Sequence, residues 1–287
     1  MGDFDFLQSS EEEPLRKLQL VELQIMKRFA RMCEENGLRY YLLGGTLLGA
    51  VRHGGFIPWD DDVDLCMPRP DYVKFLELAE TELSDSNYKV LSIYNDPTYR
   101  QGMAKVTANV LRIVNRSANE ERIEDAWIDI IPLDGFPDNP VLAFGHKLRL
   151  MFWKVMDATA EFDYVVDVRR DRGAVGNFLL KAFEGVCRVV RPFGDNYHEV
   201  LLRTDRALAK YPYESSSQCI NLYAARGFRE IFSKDCLAEG KEIKFEDTLF
   251  RAPIKEHDIL ATIYGPDYMT PPPADQRNWH NSEVLEG

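Results

Sequence analysis

What the chain lacks narrows its identity first. It has no Cys-x-x-Cys pair, and its five cysteines (Cys33, Cys66, Cys187, Cys219 and Cys236) are odd in number and widely scattered. That argues against a disulfide framework and a zinc cage, and suits reduced thiols acting as small buried hydrophobes in a cytosolic protein. No apolar run approaches the length of a membrane span, and the acidic start from Met1 to Pro14 lacks the basic-then-apolar layout of a secretory leader. The expected location is cytoplasmic, or peripheral at the inner face of a membrane. Positive charge is short as well: 35 Lys and Arg against 47 Asp and Glu, for a net charge of −12. General nucleic-acid binding needs a basic face and is argued against, whereas a local basic site for a nucleotide diphosphate is not. Internal repeats and low-complexity linkers are absent too. The remaining picture is one cooperative unit of 287 residues, 45% hydrophobic and 29% charged, with ample length for a core.

The informative stretch runs from Leu43 to Leu65. A glycine turn, Gly44-Gly45, is followed by Asp60, Asp61, Asp62 and Asp64, after which the chain turns apolar. Asp62-Val63-Asp64-Leu65 reads as the start of a strand reaching Met67, with Asp62 and Asp64 on one face and Val63 and Leu65 entering the core. Two like charges on one face repel unless a cation lies between them, and oxygen ligands suit a hard divalent ion. The plainer alternative is a solvated acidic loop. Glycine amides at Gly44-Gly45 can approach a phosphate closely, and a helix from Thr46 to Val51 would add amides and a favourable dipole.

The glycine turn followed by Asp62-x-Asp64 resembles the nucleotidyltransferase-fold pattern, and the run from Gly44 through "RHGGFIPWDDDVDL" to Met67 resembles the LicD family. "WIDIIPLDG" and "YGPDYMTPP" continue the likeness. The resemblance implies a phosphotransferase. It would move phosphocholine, or a related phosphoalcohol such as phosphoribitol or phosphoglycerol, from a CDP-activated donor to a cell-surface glycan or lipid-linked sugar. It also implies Mg²⁺, with Mn²⁺ as the alternative, on Asp62, Asp64 and a third acid from a neighbouring strand. Asp129 matches that third position and is assigned as ligand or general base. An aspartate among bulky apolar neighbours is costly to bury unless it is paired or metal-bound. Nearby Asp134 reads instead as a loop cap.

Gly44, Gly45 and Thr46 are assigned to the donor phosphates. Arg52 and His53 are candidate phosphate contacts, with a surface role in holding the loop as the alternative. Lys105 is a candidate phosphate or base contact, although a lone strand lysine usually snorkels to solvent. Trp59 is expected to pack in the core rather than stack on a base. Two rival functions stand beside the main one: nucleotidyl transfer from a nucleoside triphosphate, and a degenerate nucleotide- or glycan-binding module.

The fold expected is α/β (α+β), a nucleotidyltransferase-like mixed sheet flanked by helices, with a helical insertion. Residues 14–138 would form the core with the metal site, about 139–212 a helical subdomain, and about 213–287 strands and a Pro-rich segment completing the fold. Helices are expected from Pro14 to Asn36, Asp71 to Leu83, Val141 to Ala160, Gly176 to Val190, Tyr197 to Lys210 and Lys255 to Tyr264. Strands are expected at Leu38–Leu43, Tyr88–Tyr94, Cys219–Tyr223 and Phe228–Phe232, with a pair within Glu242–Pro253. Gly102–Thr107 and Val110–Val114 read as a hairpin. Phe144, Phe152, Trp153, Phe162 and Tyr164 are assigned mainly to core, with an acceptor or choline pocket as the alternative.

Overall fold

The computed structural model describes residues 12–83, 87–116, 121–165, 196–224 and 226–274, with short pieces at 3–4, 7, 85, 185, 277 and 282–285. The expected mixed architecture is the one observed: a curled, mostly antiparallel sheet of eight strands, flanked by six helices among the described residues. Helix α1 (Pro14–Glu35) starts on Pro14, which costs nothing in the first turn, and stops at Asn36-Gly37, where Gly37 has φ +64°. Its stripe of Leu18, Val21, Ile25, Phe29 and Met32 is buried against the sheet. Each such side chain stabilises by about 1.5–3 kcal/mol relative to exposure.

Strand β1 (Tyr41–Leu42) leads into α2 (Gly44–His53), and β2 (Asp64–Pro68) into α3 (Arg69–Glu82). Then follow β3 (Tyr88–Leu91), β4 (Ala104–Arg116) and β5 (Glu121–Phe136). The two segments expected as a hairpin are one continuous strand, β4, with a register shift between Ala108 and Arg112. Local alternation on either side of that irregularity looks like two strands; pairing along one partner, β5, makes them one.

The spine of the sheet is β1-β2-β5-β4, with β2 and β5 parallel and the other pairs antiparallel. The outer edge of β4 receives β3 and, further on, β10 (Ser282–Leu285). On its other edge, β5 leaves β2 after Leu133 and pairs from Asp134 with β6 (Gln218–Ile220), which in turn pairs with β7 (Ile231–Ser233). Asp134 is therefore not a loop cap; it lies within a strand, fully buried. The expected pair within Glu242–Pro253 is the separate hairpin β8 (Lys241–Phe245) and β9 (Thr248–Ala252).

Helices α4 (Pro140–Val165) and α5 (Tyr197–Leu208) pack on each other beside a small second core of Phe136, Leu150, Ala207, Leu208, Ile220 and Leu222. Phe144 and Phe152 are not core residues: they are 64% and 56% exposed, while Trp153 is partly buried against the second core. The helix expected at Gly176–Val190 and the side chains of Phe162 and Tyr164 lie outside the described residues. Helix α6 (Glu256–Tyr264) ends at Gly265 as expected. No helix among the described residues is long and apolar enough to cross a membrane.

Candidate active site

Strand β2 begins at Asp64, so Asp62 sits in the loop entering it rather than on the strand. Register then assembles the site. Asp64 is the parallel partner of Asp129, and Asp129 is the antiparallel partner of Lys105. Cross-strand partners project from the same face, so the three side chains form a row across β2, β5 and β4. The Asp129 amide donates to Val63 O at 2.8 Å and locks this row to the aspartate loop.

The two glycines make room for carboxylates. A Cβ on Gly44 would lie 2.8 Å from Asp64 Oδ2, and one on Gly45 2.6 Å from Asp60 Oδ2. Gly44 also has φ +56°, a conformation that other residues adopt only with strain. The start of α2 is thus faced by Asp60 and Asp64, where the helix dipole favours negative charge. Thr46 Oγ1 accepts from the Asp64 amide at 2.9 Å, which fixes the residue whose carboxylate it neighbours.

The surrounding loop is clamped from outside. Gln19 Nε2 donates to Ile57 O at 3.3 Å and Asp60 O at 2.9 Å. Gly54 ends α2 in the left-handed conformation at φ +70°. Gly55 leaves space for Glu246, which accepts from the Phe56 amide at 3.1 Å and from Arg16 at 2.7 Å.

Electrostatically the cluster is under-compensated. Asp64 is half-buried, and desolvation of its carboxyl, followed by the charges of Asp62 and Asp129, pushes its pKa well above the usual range. Asp129 is 9% exposed and pushed up to about 6, chiefly by burial, with Lys105 pulling it down and Asp62 pushing it up. Trp127 Nε1 donates to Asp129 Oδ2 at 3.4 Å, while Asp129 Oδ1 is buried without a partner. Among the described residues no three His, Cys, Asp or Glu side chains close into a preformed metal cage. The donor set nevertheless fits a magnesium-like ion. Such an ion binds through one or two carboxylates and completes its shell with substrate phosphates and water. The orphaned Asp129 oxygen is the kind of group it satisfies.

The other expected contacts divide. Lys105 does not snorkel: it is 4% exposed, lies 3.7 Å over the Trp127 ring and stands 3.6 Å from Glu124 Oε2. Arg52 and His53 occupy the last turn of α2, at the opposite end from the glycines. Arg52 donates to His53 Nε2 at 2.9 Å and to Tyr268 O at 3.1 Å, so it ties α2 to the C-terminal segment. Burial and the Arg52 charge hold His53 below its ordinary pKa. Trp59 packs partly against the core and carries the Arg277 guanidinium 4.5 Å over its ring.

Sequence reasoning missed Glu22. It is buried on α1 with Oε2 unpartnered, and burial followed by the charges of Asp62, Asp61, Asp60 and Asp129 raises its pKa well above the ordinary value. A signal was present: position 22 falls on the stripe of Leu18, Ile25 and Phe29, where a glutamate is out of place. Trp127 is a second site residue that the sequence does not signal, because an indole beside Ile128, Ile130 and Ile131 looks like apolar strand filling.

Residues 37–133 match the family of LicD/FKTN/FKRP nucleotidyltransferase domains. The chain is 35% identical over 134 residues to the lipopolysaccharide cholinephosphotransferase LicD of Haemophilus influenzae, an alignment covering 45% of this chain and 48% of that protein. It is 69% identical over 32 residues to the ribitol 5-phosphate transferase FKRP of human and mouse, which is 11% of this chain and 6% of theirs. An uncharacterised Rickettsia typhi protein is 42% identical over 55 residues, 19% of this chain and 18% of its own. The chain therefore spans about half the length of the Haemophilus relative or less of the others. The "YGPDYMTPP" segment lies beyond the family match.

Proposed function

We propose, from the premise that residues 37–133 are a LicD-family nucleotidyltransferase domain, that this protein transfers a phosphoalcohol from a CDP-activated donor to a sugar hydroxyl. Phosphocholine from CDP-choline is the first choice, the acceptor is a cell-surface glycan or its lipid-linked precursor, and CMP is released. The reaction is placed on the cytoplasmic side. The observation that carries this reading is the in-register pair Asp64–Asp129, a half-buried and a buried carboxylate on one sheet face, with one Asp129 oxygen left unsatisfied.

Asp64 and Asp129, with Asp62, would hold Mg²⁺ or Mn²⁺, which supplies neutralisation of the diphosphate and of the departing CMP. Gly44 and Gly45 keep the start of α2 free of side chains, and Thr46 holds Asp64 in place. The acceptor oxygen forms the new bond to the phosphorus bearing the alcohol, and the bond from that phosphorus to the CMP oxygen breaks. The hydroxyl proton passes to the Asp129 carboxylate. The charge of Lys105, opposite Asp129, favours the ionised carboxylate that accepts this proton. Positioning and electrostatics supply most of the acceleration in such transfers.

The test is a thermal-shift panel of CDP-choline, CDP-glycerol, CDP-ribitol, CMP and CTP, each with and without Mg²⁺, followed by product analysis. A ligand that binds only the folded state raises its apparent stability by mass action. A Mg²⁺-dependent shift with one CDP-alcohol, and CMP as product, is expected. The FKRP likeness, short as it is, makes CDP-ribitol the most informative competitor to CDP-choline. A shift with CTP alone and release of pyrophosphate would replace this reading with nucleotidyl transfer.

A further inference from the structure

A cavity of about 650 Å³ opens on the sheet face that carries the acids. Strand register shows that the face is shared. Leu91 on β3 pairs with Lys105, which pairs with Asp129, which pairs with Asp64. One step along, Lys89 pairs with Thr107, which pairs with Trp127. Lys89, Leu91, Lys105, Thr107 and Trp127 all line the cavity. Lys105 and Trp127 form the wall it shares with the acids, through the Lys105–Asp129 pair and the Trp127 hydrogen bond to Asp129.

The wall's chemistry selects its occupant. Of the lining residues only Leu91, Ile123 and Trp127 are aliphatic or indole; the rest carry hydroxyl, amide or charged groups. Such a wall offers hydrogen bonds to a polyhydroxylated molecule, and the volume suits a mono- or disaccharide. It rejects a quaternary ammonium. That group needs several uncovered aromatic faces, whereas Lys105 covers Trp127 and leaves Tyr99 as a single ring, and the cations Lys89, Arg100, Lys105 and Arg112 outnumber the acids Asp96, Glu124 and Asp125.

Position matters as much as composition. Gly44, Asp60 and Asp64 lie on the β2 side of Asp129, and the cavity lies on its β4 and β3 side. In-line displacement places attacking and leaving oxygens on opposite sides of phosphorus. We infer that this cavity is the acceptor subsite, taking the sugar unit whose hydroxyl attacks, with Lys105 and Trp127 forming the boundary at which that hydroxyl meets Asp129. The inference rests on the transferase reading above and adds where the acceptor sits and what it is: a sugar, neutral or acidic, rather than the choline group.

The four tryptophan indole N–H signals of Trp59, Trp127, Trp153 and Trp279 allow a direct test without turnover. The Trp127 resonance is assigned with Trp127→Phe. Glucose, N-acetylglucosamine, glucose 6-phosphate, glucuronic acid and choline are then titrated separately. At least one sugar should move the Trp127 signal, and choline should not. A larger response to the phosphate or carboxylate sugar identifies an acidic acceptor. Lys89→Met, at an exposed position on β3 where the fold is not at risk, should weaken that sugar about tenfold, the loss expected for one charged hydrogen bond. The same variant should leave the Mg²⁺-dependent CDP-alcohol shift unchanged. Failure of every sugar to move Trp127 overturns the acceptor assignment. So does a CDP-alcohol that moves Trp127 and is weakened by Lys89→Met, since the cavity would then hold the donor and the transferase reading would stand. Sugar binding at Trp127 without any CDP-alcohol shift would instead remove the donor reading.

Discussion

Asp129 and Asp134 share strand β5 and both are buried, yet their surroundings differ in kind. Asp134 accepts two hydrogen bonds from Arg69, at 2.7 Å from Nε and 2.6 Å from the second amino group. The remaining amino group of Arg69 donates to Asp205 at 2.8 Å, and Asp205 also accepts from the Tyr94 hydroxyl. One guanidinium thus joins α3, β5 and α5. Burial pushes Asp134 upward, and Arg69 opposes it. Asp129 has a neighbouring lysine and one long hydrogen bond, but also like charges around it and an oxygen with no partner. Burial alone does not mark a functional acid. A buried acid whose hydrogen-bonding capacity is filled is part of the frame; one left short is arranged for something that arrives.

Asp64→Asn should cause the largest change. Transfer should fall by at least about 10³-fold, or about 4 kcal/mol of transition-state stabilisation. The ligand-free protein should at the same time become more stable. The folded-state pKa of Asp64 is raised, so its favourable contribution exists below the unfolded value and is lost as pH rises through the folded one. As pH rises through the folded value the ionised group costs stability that Asn removes, and added Mg²⁺ should narrow the gap in denaturant melts. Near-normal turnover would erase the contrast between the two ends of β5.

Arg69→Met attacks the other side. It leaves Asp134 and Asp205 buried without their cation, a change that costs about 3 kcal/mol or more. Urea unfolding should show that loss, and the surviving folded fraction should keep its affinity for Mg²⁺ and donor. A loss below about 1 kcal/mol would mean the network is not what holds α5 to the sheet.

The smallest effect is expected beside the framework end, at His146. This residue is buried between Phe136 and Tyr211, with neither ring nitrogen partnered. Burial, helped by Arg149 and Lys210, lowers its pKa to about 4. A lowered folded pKa means full stabilisation above about 6.5, lost as pH falls from there towards about 4. His146→Leu should therefore flatten the stability difference between pH 7 and pH 5 by about 1–2 kcal/mol. Melting curves of the two proteins that remain parallel across that range would show the imidazole to be solvated.

Much of the site was readable from local pattern. Gly44-Gly45, the alternation of Asp64 with Val63 and Leu65, and the isolated Asp129 all mark backbone that must bend or carry a charge on one face. The stops of α1 and α6 were legible for the same reason, because Gly37 and Gly265 act on their own neighbours. Arg52 and His53 depend on what lies between them and the glycines. They lie close to the glycine turn in sequence, yet the intervening helix carries them to its far end.

Local pattern is enough to say where the chain turns, which residues alternate and which acids are candidates, because these depend on periods of a few residues along the backbone. Folding in three dimensions was needed to bury Lys105 opposite Asp129, to bring Glu22 of α1 within reach of the acids' charge, and to give Asp134 to Arg69. Those facts rest on strand register and on which distant groups share a desolvated space. A carboxylate in hydrocarbon surroundings looks the same in sequence whether its cation comes from a distant helix or from solution.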